Sequence, residues 1–437
     1  MKIKFIITLF VFVLLLGVSV SAEEYSVKGG SIYYDTQTGY ITSADKSVME
    51  AVIPQEINGT EIKGIGDGAF ELCWDLRLVE MPPTVTYIGS RAFSNCICLS
   101  EIILPQDTEV IGDKAFANCS CVTKIVFNDS IKKIGSRAFY MCTSLESVAL
   151  PDSLTDEGMG AGIFLNCLLL KDIKLPEGLT VLPEEMFSGC SALAAITLPE
   201  GIKEIGIKAF YDCEALESIV LPNGLEKIDA SAFDNCKMLA DVEIPQSCTY
   251  IGGGAFCDCL GFTKITIPGS VEYIGYEAFI GCEWVEEIIL CDGIKEIDSF
   301  AFWSIKLTNG VEIPSSVTSV GKNVFYGDTL ILCGKDSYAR QYARENGYPY
   351  HLTDVSVLRG DATNDGLFTA ADASQIMQKI LDSSFTTDIE SVFDDPIYPL
   401  DTDDSGVLSS YDCSCLMQRI LNAGYLMPCE EWQTEQN

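Results

Sequence analysis

Phenylalanine recurs along this chain at a fixed interval, and that interval decides what the chain can fold into. Successive members are 23 residues apart, except for one step of 25 into the fifth; they are Phe70, Phe93, Phe116, Phe139, Phe164, Phe187, Phe210, Phe233, Phe256, Phe279, Phe302 and Phe325. The same frame surrounds each of them, and from Ile205 to Pro222 it reads Ile-Gly-x-x-Ala-Phe-x-x-Cys-x-x-Leu-x-x-Ile-x-Leu-Pro. An internal period of this length predicts a solenoid of stacked coils.

A balance between burial and chain entropy requires the coils to stack. One repeat offers about five apolar side chains, each worth roughly 1.5 to 3 kcal/mol when buried. Ordering its backbone costs about 1 to 2 kcal/mol per residue. A single coil therefore does not fold alone, and the array gains its stability from contacts between neighbouring coils.

Each repeat contains one segment with the spacing of a short strand and one that reverses the chain. The Leu-x-x-Ile-x-Leu segment, as in Leu145 to Leu150, alternates core and outward positions, and Pro151 ends it. We expect the Ala-Phe pair and the residues after it to form the return arm, as a helical turn or a 3₁₀ segment. After Phe325, the residues from Ser337 to Arg344 have helical spacing, which predicts a helix that closes the array.

The recurring unit resembles the BspA-like class of bacterial leucine-rich repeats, from about Ile65 to Val324. The resemblance implies an α/β-type repeat solenoid with short parallel strands and helical or 3₁₀ return arms. It also implies a binding role for the strand face. The chain departs from the better-known leucine-rich repeats because no asparagine ladder follows the strand, where Gly178, Gly201 or Ser247 stands instead.

Two columns of side chains are predicted to face outward between the core positions of the strands. One column comprises Glu80, Ile103, Val126, Ala149, Lys174, Thr197, Val220, Glu243, Thr266 and Ile289. The other comprises Leu78, Glu101, Lys124, Ser147, Asp172, Ala195, Ser218, Asp241, Lys264 and Glu287. Neither has a sustained charge or aromatic pattern, so the ligand, a protein or a polysaccharide, stays open. The apolar stretch from Ile103 to Ala149 is the candidate patch, although ordinary β-propensity also explains it.

Ten of the 19 cysteines stand three residues after a repeat phenylalanine. In a stack they form one column, in which neighbouring β-carbons are separated by about the inter-strand distance. That distance is too long for a relaxed disulfide. We expect buried free thiols that act as small hydrophobic side chains. A metal or redox site is the alternative, but there is no Cys-x-x-Cys pair with histidine partners, and His351 is the single histidine.

The N-terminus has the pattern of an export signal. Lys2 and Lys4 precede an apolar run from Phe5 to Val18, and small residues allow cleavage after Ala22. The run is shorter than the roughly 20 residues that span a bilayer. We expect a secreted, extracellular protein without a membrane span. Its formal charge of −35 argues against nucleic acid as a partner.

The 23-residue register stops near Leu352, and two acidic loops follow, Asp361 to Asp372 and Asp401 to Asp412. Both place oxygen-bearing side chains at loop positions 1, 3, 5, 9 and 12, with glycine at 6 for the sharp turn. The main-chain carbonyls of Leu367 and Val407 supply position 7. Calcium takes six to eight oxygen ligands, so the two loops predict two bound Ca²⁺ ions.

Both loops lead into similar helical segments and close with aspartate instead of the usual glutamate. With no entering helix, and with Arg359-Gly360-Asp361 at the start, the region from Val355 to about Asn422 resembles a type I dockerin. The resemblance implies a small all-α calcium-binding module that docks onto a cohesin domain of a scaffoldin in a cellulosome. We therefore expect the chain to divide into a signal peptide at 1–22, an N-terminal cap at 23–64, repeats with a C-terminal cap at 65–352, the dockerin at 353–426 and a tail at 427–437.

Residue roles follow from the dockerin resemblance by position. The implied calcium ligands are Asp361, Thr363, Asp365, Leu367, Thr369 and Asp372 in the first loop, and Asp401, Asp403, Ser405, Val407, Ser409 and Asp412 in the second, with Thr369 and Ser409 acting through water. The implied cohesin contacts are Ala370, Ala371, Met377 and Gln378, and Ser410, Tyr411, Met417 and Gln418. A plain amphipathic core is the alternative explanation of the two methionines.

These features favour a secreted, non-catalytic binding subunit with a role in plant polysaccharide degradation. One alternative is a polysaccharide-active enzyme, since dockerins are often appended to glycoside hydrolases. Catalysis would then depend on a carboxylate pair, and among 63 acidic residues the sequence does not single one out. Another alternative is a structural spacer or adhesin. We expect no enzymatic activity.

Overall fold

The computed structural model describes residues 22–353. The export signal up to Ser21, both predicted calcium loops, the predicted cohesin contacts and the C-terminal tail lie outside this range. The described residues fall into two compact units, the first formed by residues 22–307 and 319–326 and the second by residues 308–318 and 327–353.

The first unit begins with an antiparallel meander that leads into the repeats. Strand Ala22–Val27 pairs with Gly30–Asp35, which pairs with Tyr40–Ala44. Tyr40–Ala44 then runs parallel to the first repeat strand, Gly64–Ile65. A small antiparallel pair, Glu56–Ile57 with Thr60–Glu61, lies between them in sequence. The last strand of the meander thus forms the sheet edge to which the first coil is hydrogen-bonded.

The predicted Leu-x-x-Ile-x-Leu segments form short strands that pair in parallel two by two, and Glu50–Val52 of the predicted cap pairs with the first of them in the same way. They are Glu50–Val52, Leu78–Glu80, Glu101–Ile103, Lys124–Val126, Ser147–Ala149, Asp172–Lys174, Ala195–Ile196, Ser218–Ile219, Lys264–Ile267 and Glu287–Leu290. In four of the three-residue strands the middle residue is buried and its neighbours are exposed, as in Glu101–Ile103. In Asp172–Lys174 the middle residue, Ile173, is half-buried. The strand prediction is confirmed, and we call this surface the strand face.

A second parallel ladder runs through the residues just before the repeat glycine, and the sequence did not predict it. Its strands are Gly64–Ile65, Tyr87–Ile88, Val110–Ile111, Lys133–Ile134, Val181–Leu182, Glu204–Ile205, Lys227–Ile228, Tyr250–Ile251, Tyr273–Ile274, Glu296–Ile297 and Ser319–Val320. The ladder breaks at the 25-residue repeat, where Ile134 bridges to Met159 and a 3₁₀ helix, Asp156–Gly158, occupies the extra length.

The predicted helical or 3₁₀ return arms are wrong, because the arms are successive turns. The residues two before and two after the repeat phenylalanine have positive φ, as at Arg91 (56°) and Asn95 (64°). The amide of Phe93 donates to the carbonyl of Ala115 in the next coil, at 2.7 Å. A helix would use these amides within its own arm, whereas here they join neighbouring coils and add a further line of backbone hydrogen bonds.

The repeat phenylalanines form a continuous buried stack along the first unit. All twelve are at most 1% exposed. Successive rings are stacked nearly parallel, with centroids 5.0 Å apart between Phe70 and Phe93 and 6.2 Å apart between Phe164 and Phe187. The widest separation falls beside the irregular repeat. The stack gives the repeat phenylalanine its physical role, because each ring packs against the rings of the coils on either side.

The repeat glycine lies where neighbouring coils approach each other closely, as at Gly112. A β-carbon on Gly112 would lie 2.5 Å from the amide nitrogen of Ser90 and 2.6 Å from the carbonyl carbon of Gly89. Backbone atoms cannot yield as a flexible side chain can, so a β-carbon at Gly112 requires its coil and the preceding one to shift.

We therefore expect Gly112→Ala to lower the free energy of unfolding by about 1 to 3 kcal/mol. Gly178→Ala is the matched control, since nothing lies within 4 Å of its added β-carbon. The control should be neutral or slightly stabilising, because it restricts only the unfolded chain. Urea unfolding followed by circular dichroism measures both, and equal midpoints would contradict the close-approach argument.

The second unit contains three parallel strands and a helix. Val311–Glu312 pairs with Ile331–Cys333, which pairs with Tyr350–Leu352. The α-helix Tyr338–Asn346 begins after Ser337, whose hydroxyl accepts the amide proton of Arg340 at 3.3 Å, and ends at Gly347 with φ of 76°. The helix predicted from the sequence spacing is confirmed.

Candidate functional site

The strand face carries a groove of 720 Å³ across its central coils. Its outward side chains come from five successive coils, and they are Lys124, Ser147, Ala149, Asp172, Lys174, Ala195, Thr197, Ser218 and Val220. All of them belong to the two columns predicted to face outward, and every member of both columns is exposed. The outward prediction is therefore confirmed over the whole strand face.

Small side chains shape the groove. Ser147, Ala149 and Ala195 stand where neighbouring coils carry larger residues such as Ile103 and Val126. The backbone continues in register through these coils, with Ser147 opposite Asp172 and Ala195 opposite Ser218. The depression follows because side-chain volume is missing from a regular surface.

The groove has a different charge from the chain as a whole. Lys124 and Lys174 line it together with one carboxylate, Asp172, whereas the chain has a formal charge of −35. The ammonium group of Lys174 donates to Asp152 at 3.1 Å, and this hydrogen bond lowers the pKa of the Asp152 carboxyl. The groove is therefore close to neutral within an acidic protein.

An exposed apolar strip leads into one end of the groove, and one exposed apolar side chain stands at the other end. Ile103 and Val126 are paired residues of adjacent strands and are 55% and 37% exposed. Val220, at the far end, is 82% exposed. The patch predicted between Ile103 and Ala149 is thus open to solvent, whereas Lys174 and Thr197 of the same column separate Val220 from it.

The column of repeat cysteines is buried and free, as predicted from its spacing. It comprises Cys73, Cys96, Cys119, Cys142, Cys167, Cys190, Cys213, Cys236, Cys259 and Cys282. From Cys96 onward each thiol donates to the carbonyl of the phenylalanine one coil back, as Cys119 Sγ does to Phe93 at 3.2 Å. Burial raises the pKa of Cys142 and Cys190 to about 12. These thiols stay protonated and join the coils by hydrogen bonds.

The comparison with known families agrees with this geometry. The BspA type leucine-rich repeat region matches residues 63–161, 157–283 and 251–332, more than half of the 437 residues. The chain belongs to the BspA-type leucine-rich repeat family. The resemblance inferred from the repeat motif is thereby confirmed.

Two solved structures are similar to this BspA-type array. A leucine-rich repeat protein from Bacteroides ovatus is 22% identical with a TM-score of 0.58, over 76% of this chain and 100% of that one. A leucine-rich cell surface protein from Faecalibacterium prausnitzii is 27% identical with a TM-score of 0.50, over 71% of this chain and 96% of that one. No curated protein matches the sequence.

One cluster of possible metal ligands on the BspA-type coils escaped the sequence analysis. Asp234, Cys257 and Asp258 bring their ligand atoms within 4.8 Å of one another. They come from adjacent return arms, so no local motif signals them. Burial raises the pKa of both Asp234 and Cys257, and the Cys257 thiol lies 3.6 Å from Asp258 as a donor. The cluster is satisfied by its own hydrogen bonds, and we assign no ion to it.

The described residues do not include the sequence-predicted calcium site. The loops Asp361 to Asp372 and Asp401 to Asp412, with the contact positions that follow them, lie beyond residue 353. Between residues 22 and 353, no helix of the BspA-type protein is long and apolar enough to cross a bilayer.

Proposed function

We propose that this protein is a secreted, non-catalytic binding subunit whose repeats bind a partner protein in the strand-face groove. The groove is the observation that carries the proposal. It combines an exposed apolar strip at one end, the exposed Val220 at the other end, small side chains that leave room for a ligand, and only a few charges. Protein interfaces have apolar centres depleted of charge, and an exposed apolar strip on a soluble protein marks such a site.

The composition of the groove favours binding over hydrolysis. Glycoside hydrolysis uses a pair of carboxyl groups flanking the bond to be cleaved. Asp172 is the one carboxylate among the residues that line the groove. Lys124 and Lys174 stand on the same surface and suit a partner with a complementary acidic or hydrogen-bonding rim.

Placing a charge in the groove tests the proposal. Val220→Glu should weaken binding of a captured partner protein at least tenfold, a loss of about 1.4 kcal/mol, because it buries an unpaired carboxylate in the interface. Met238→Glu is the matched control, since Met238 is exposed and lies outside the groove. The full chain is immobilised, challenged with secreted bacterial proteins and with soluble plant polysaccharides, and the retained partner is titrated against each variant.

The outcomes separate the candidate functions. A partner protein that binds both variants with the same Kd would contradict the groove as the binding site. Retention of polysaccharide alone would contradict a protein partner, and release of reducing sugar would favour the enzyme.

The C-terminal loops supply the second part of the proposed function. Their donor set consists of carboxylates, hydroxyls and main-chain carbonyls, the hard oxygens that Ca²⁺ prefers. We propose that two Ca²⁺ ions fold this region into a dockerin that binds a scaffoldin cohesin. The repeats would then be held in a cellulosome during plant polysaccharide degradation.

A further inference from the structure

Two cysteines reach the surface at the same position of consecutive coils. Cys98 stands five residues after Phe93, and Cys121 stands five residues after Phe116. Cys98 is partly exposed, Cys121 is exposed, and both thiols are free. They do not belong to the buried column, whose members stand three residues after the phenylalanine.

The backbones that carry this pair are in register. The amide of Cys121 donates to the carbonyl of Ile97 at 3.3 Å, and the amide of Thr123 donates to that of Ser100 at 3.0 Å. Adjacent hydrogen-bonded segments lie about 4.8 Å apart, which falls within the roughly 4.4 to 6.8 Å between α-carbons that a disulfide spans. The β-carbons must approach by up to about 1 Å to reach disulfide spacing. Both cysteines lie in turns and not in strands, so this approach does not disrupt a strand.

Accessibility distinguishes this pair from the other thiols of residues 22–353. The column thiols also stack, but they are fully buried and, from Cys96 onward, engaged with phenylalanine carbonyls. Cys257 and Cys291 are partly exposed, but neither has a cysteine at the matching position of an adjacent coil. Those positions are Asp234 and Ile280 for Cys257, and Pro268 and Pro314 for Cys291. Cys98 and Cys121 are thus the accessible pair with a stacked partner.

We propose that Cys98 and Cys121 form a reversible disulfide that joins two consecutive coils. The oxidant is a small-molecule disulfide such as oxidised glutathione. One thiolate attacks it, forms a mixed disulfide and releases one glutathione thiolate. The second cysteine attacks the mixed disulfide and releases the other glutathione, so two protein thiols are oxidised while one glutathione disulfide is reduced to two thiols. Exposure and the required approach of the β-carbons make this bond easy to reduce again.

Peptide mapping of the full-length protein tests the proposal. The native protein is equilibrated with oxidised glutathione, free thiols are alkylated in denaturant, and the non-reduced digest is examined by tandem mass spectrometry. We expect a cross-linked species two hydrogens lighter than the sum of the peptides that contain Cys98 and Cys121. Because those tryptic peptides also contain Cys96 and Cys119, fragment ions must assign the bond. Reduction with dithiothreitol should remove it.

Single substitutions provide the controls. Cys98→Ser should abolish the cross-link and leave Cys121 carrying glutathione, whereas Cys257→Ser should leave the cross-link unchanged. Glutathione adducts on both Cys98 and Cys121 of the wild type, without a cross-link, would overturn the proposal. So would a cross-link between two chains, which a mixture of ¹⁴N- and ¹⁵N-labelled protein detects.

Discussion

Phe210→Ala is expected to lower the free energy of unfolding of the repeat array by about 3 to 5 kcal/mol. The ring is fully buried between those of Phe187 and Phe233, with centroids 5.6 Å and 5.2 Å away. Its neighbours cannot collapse into the space, because the amides of Phe187 and Phe210 are bonded to adjacent coils at 2.9 Å and 2.8 Å. The substitution therefore removes apolar burial and leaves a cavity in the middle of the stack.

Ile207→Ala is the matched control in the same coil. Its side chain is 41% exposed, so its truncation should change stability by less than about 0.5 kcal/mol. Urea unfolding monitored by circular dichroism compares the variants. Since coils interact mainly with their neighbours, Phe210→Ala should also broaden the transition by separating the array into two halves. A loss no larger than that of Ile207→Ala would contradict the stacked-core account.

The sequence predicted the stacking and one of the two strand ladders for physical reasons. A phenylalanine every 23 residues requires one buried position per coil, and Leu-x-x-Ile-x-Leu is long enough to show period-two alternation. The second ladder has two residues per strand, as in Val110–Ile111, which is too short for any periodicity. The one sequence signal of this strand is the glycine that follows it, Gly112, because an added β-carbon there would clash with the backbone of the preceding coil.

The return arms differ from the prediction because the spacing of their apolar residues does not reveal their backbone conformation. The residue two after each phenylalanine has positive φ, and it includes Asn95, Asn118 and Asp212. Asparagine, aspartate and glycine are the residues that tolerate this conformation, so the pattern indicated turns. The chain has no asparagine ladder after the strand. The return arms contain a similar contact between coils, in which the side chain of Asn118 donates to that of Asn95 at 3.0 Å.

The groove shows a different limit of sequence reasoning. Both outward columns follow from the alternation of the strands, and neither carries a sustained charge or aromatic pattern. The groove instead arises where Ser147, Ala149 and Ala195 provide little volume. A depression is a property of neighbouring coils together, and the column order alone does not show how deep it is.

Removing calcium is expected to abolish binding of the full chain to a type I cohesin. Each proposed loop gathers several carboxylates around one point, as Asp361, Asp365 and Asp372 would in the first loop. Without the cation these charges repel one another, so the energy of metal binding is also the energy of folding. Isothermal titration against a panel of type I cohesins, with calcium and then with excess chelator, measures the effect. Titration of Ca²⁺ alone should give two ions per chain.

Substitutions distinguish the proposed calcium ligands from other acidic residues of the same region. A double substitution, Asp361→Ala with Asp401→Ala, should reproduce the effect of the chelator, whereas Asp388→Ala, between the loops, should bind cohesin like the wild type. The circular dichroism of the repeats should hardly change with chelator, because the phenylalanine stack and the inter-coil hydrogen bonds involve no ion. Cohesin binding that persists in excess chelator would contradict the calcium-dependent dockerin. A large loss of β-structure signal would instead show that the repeats themselves depend on the metal.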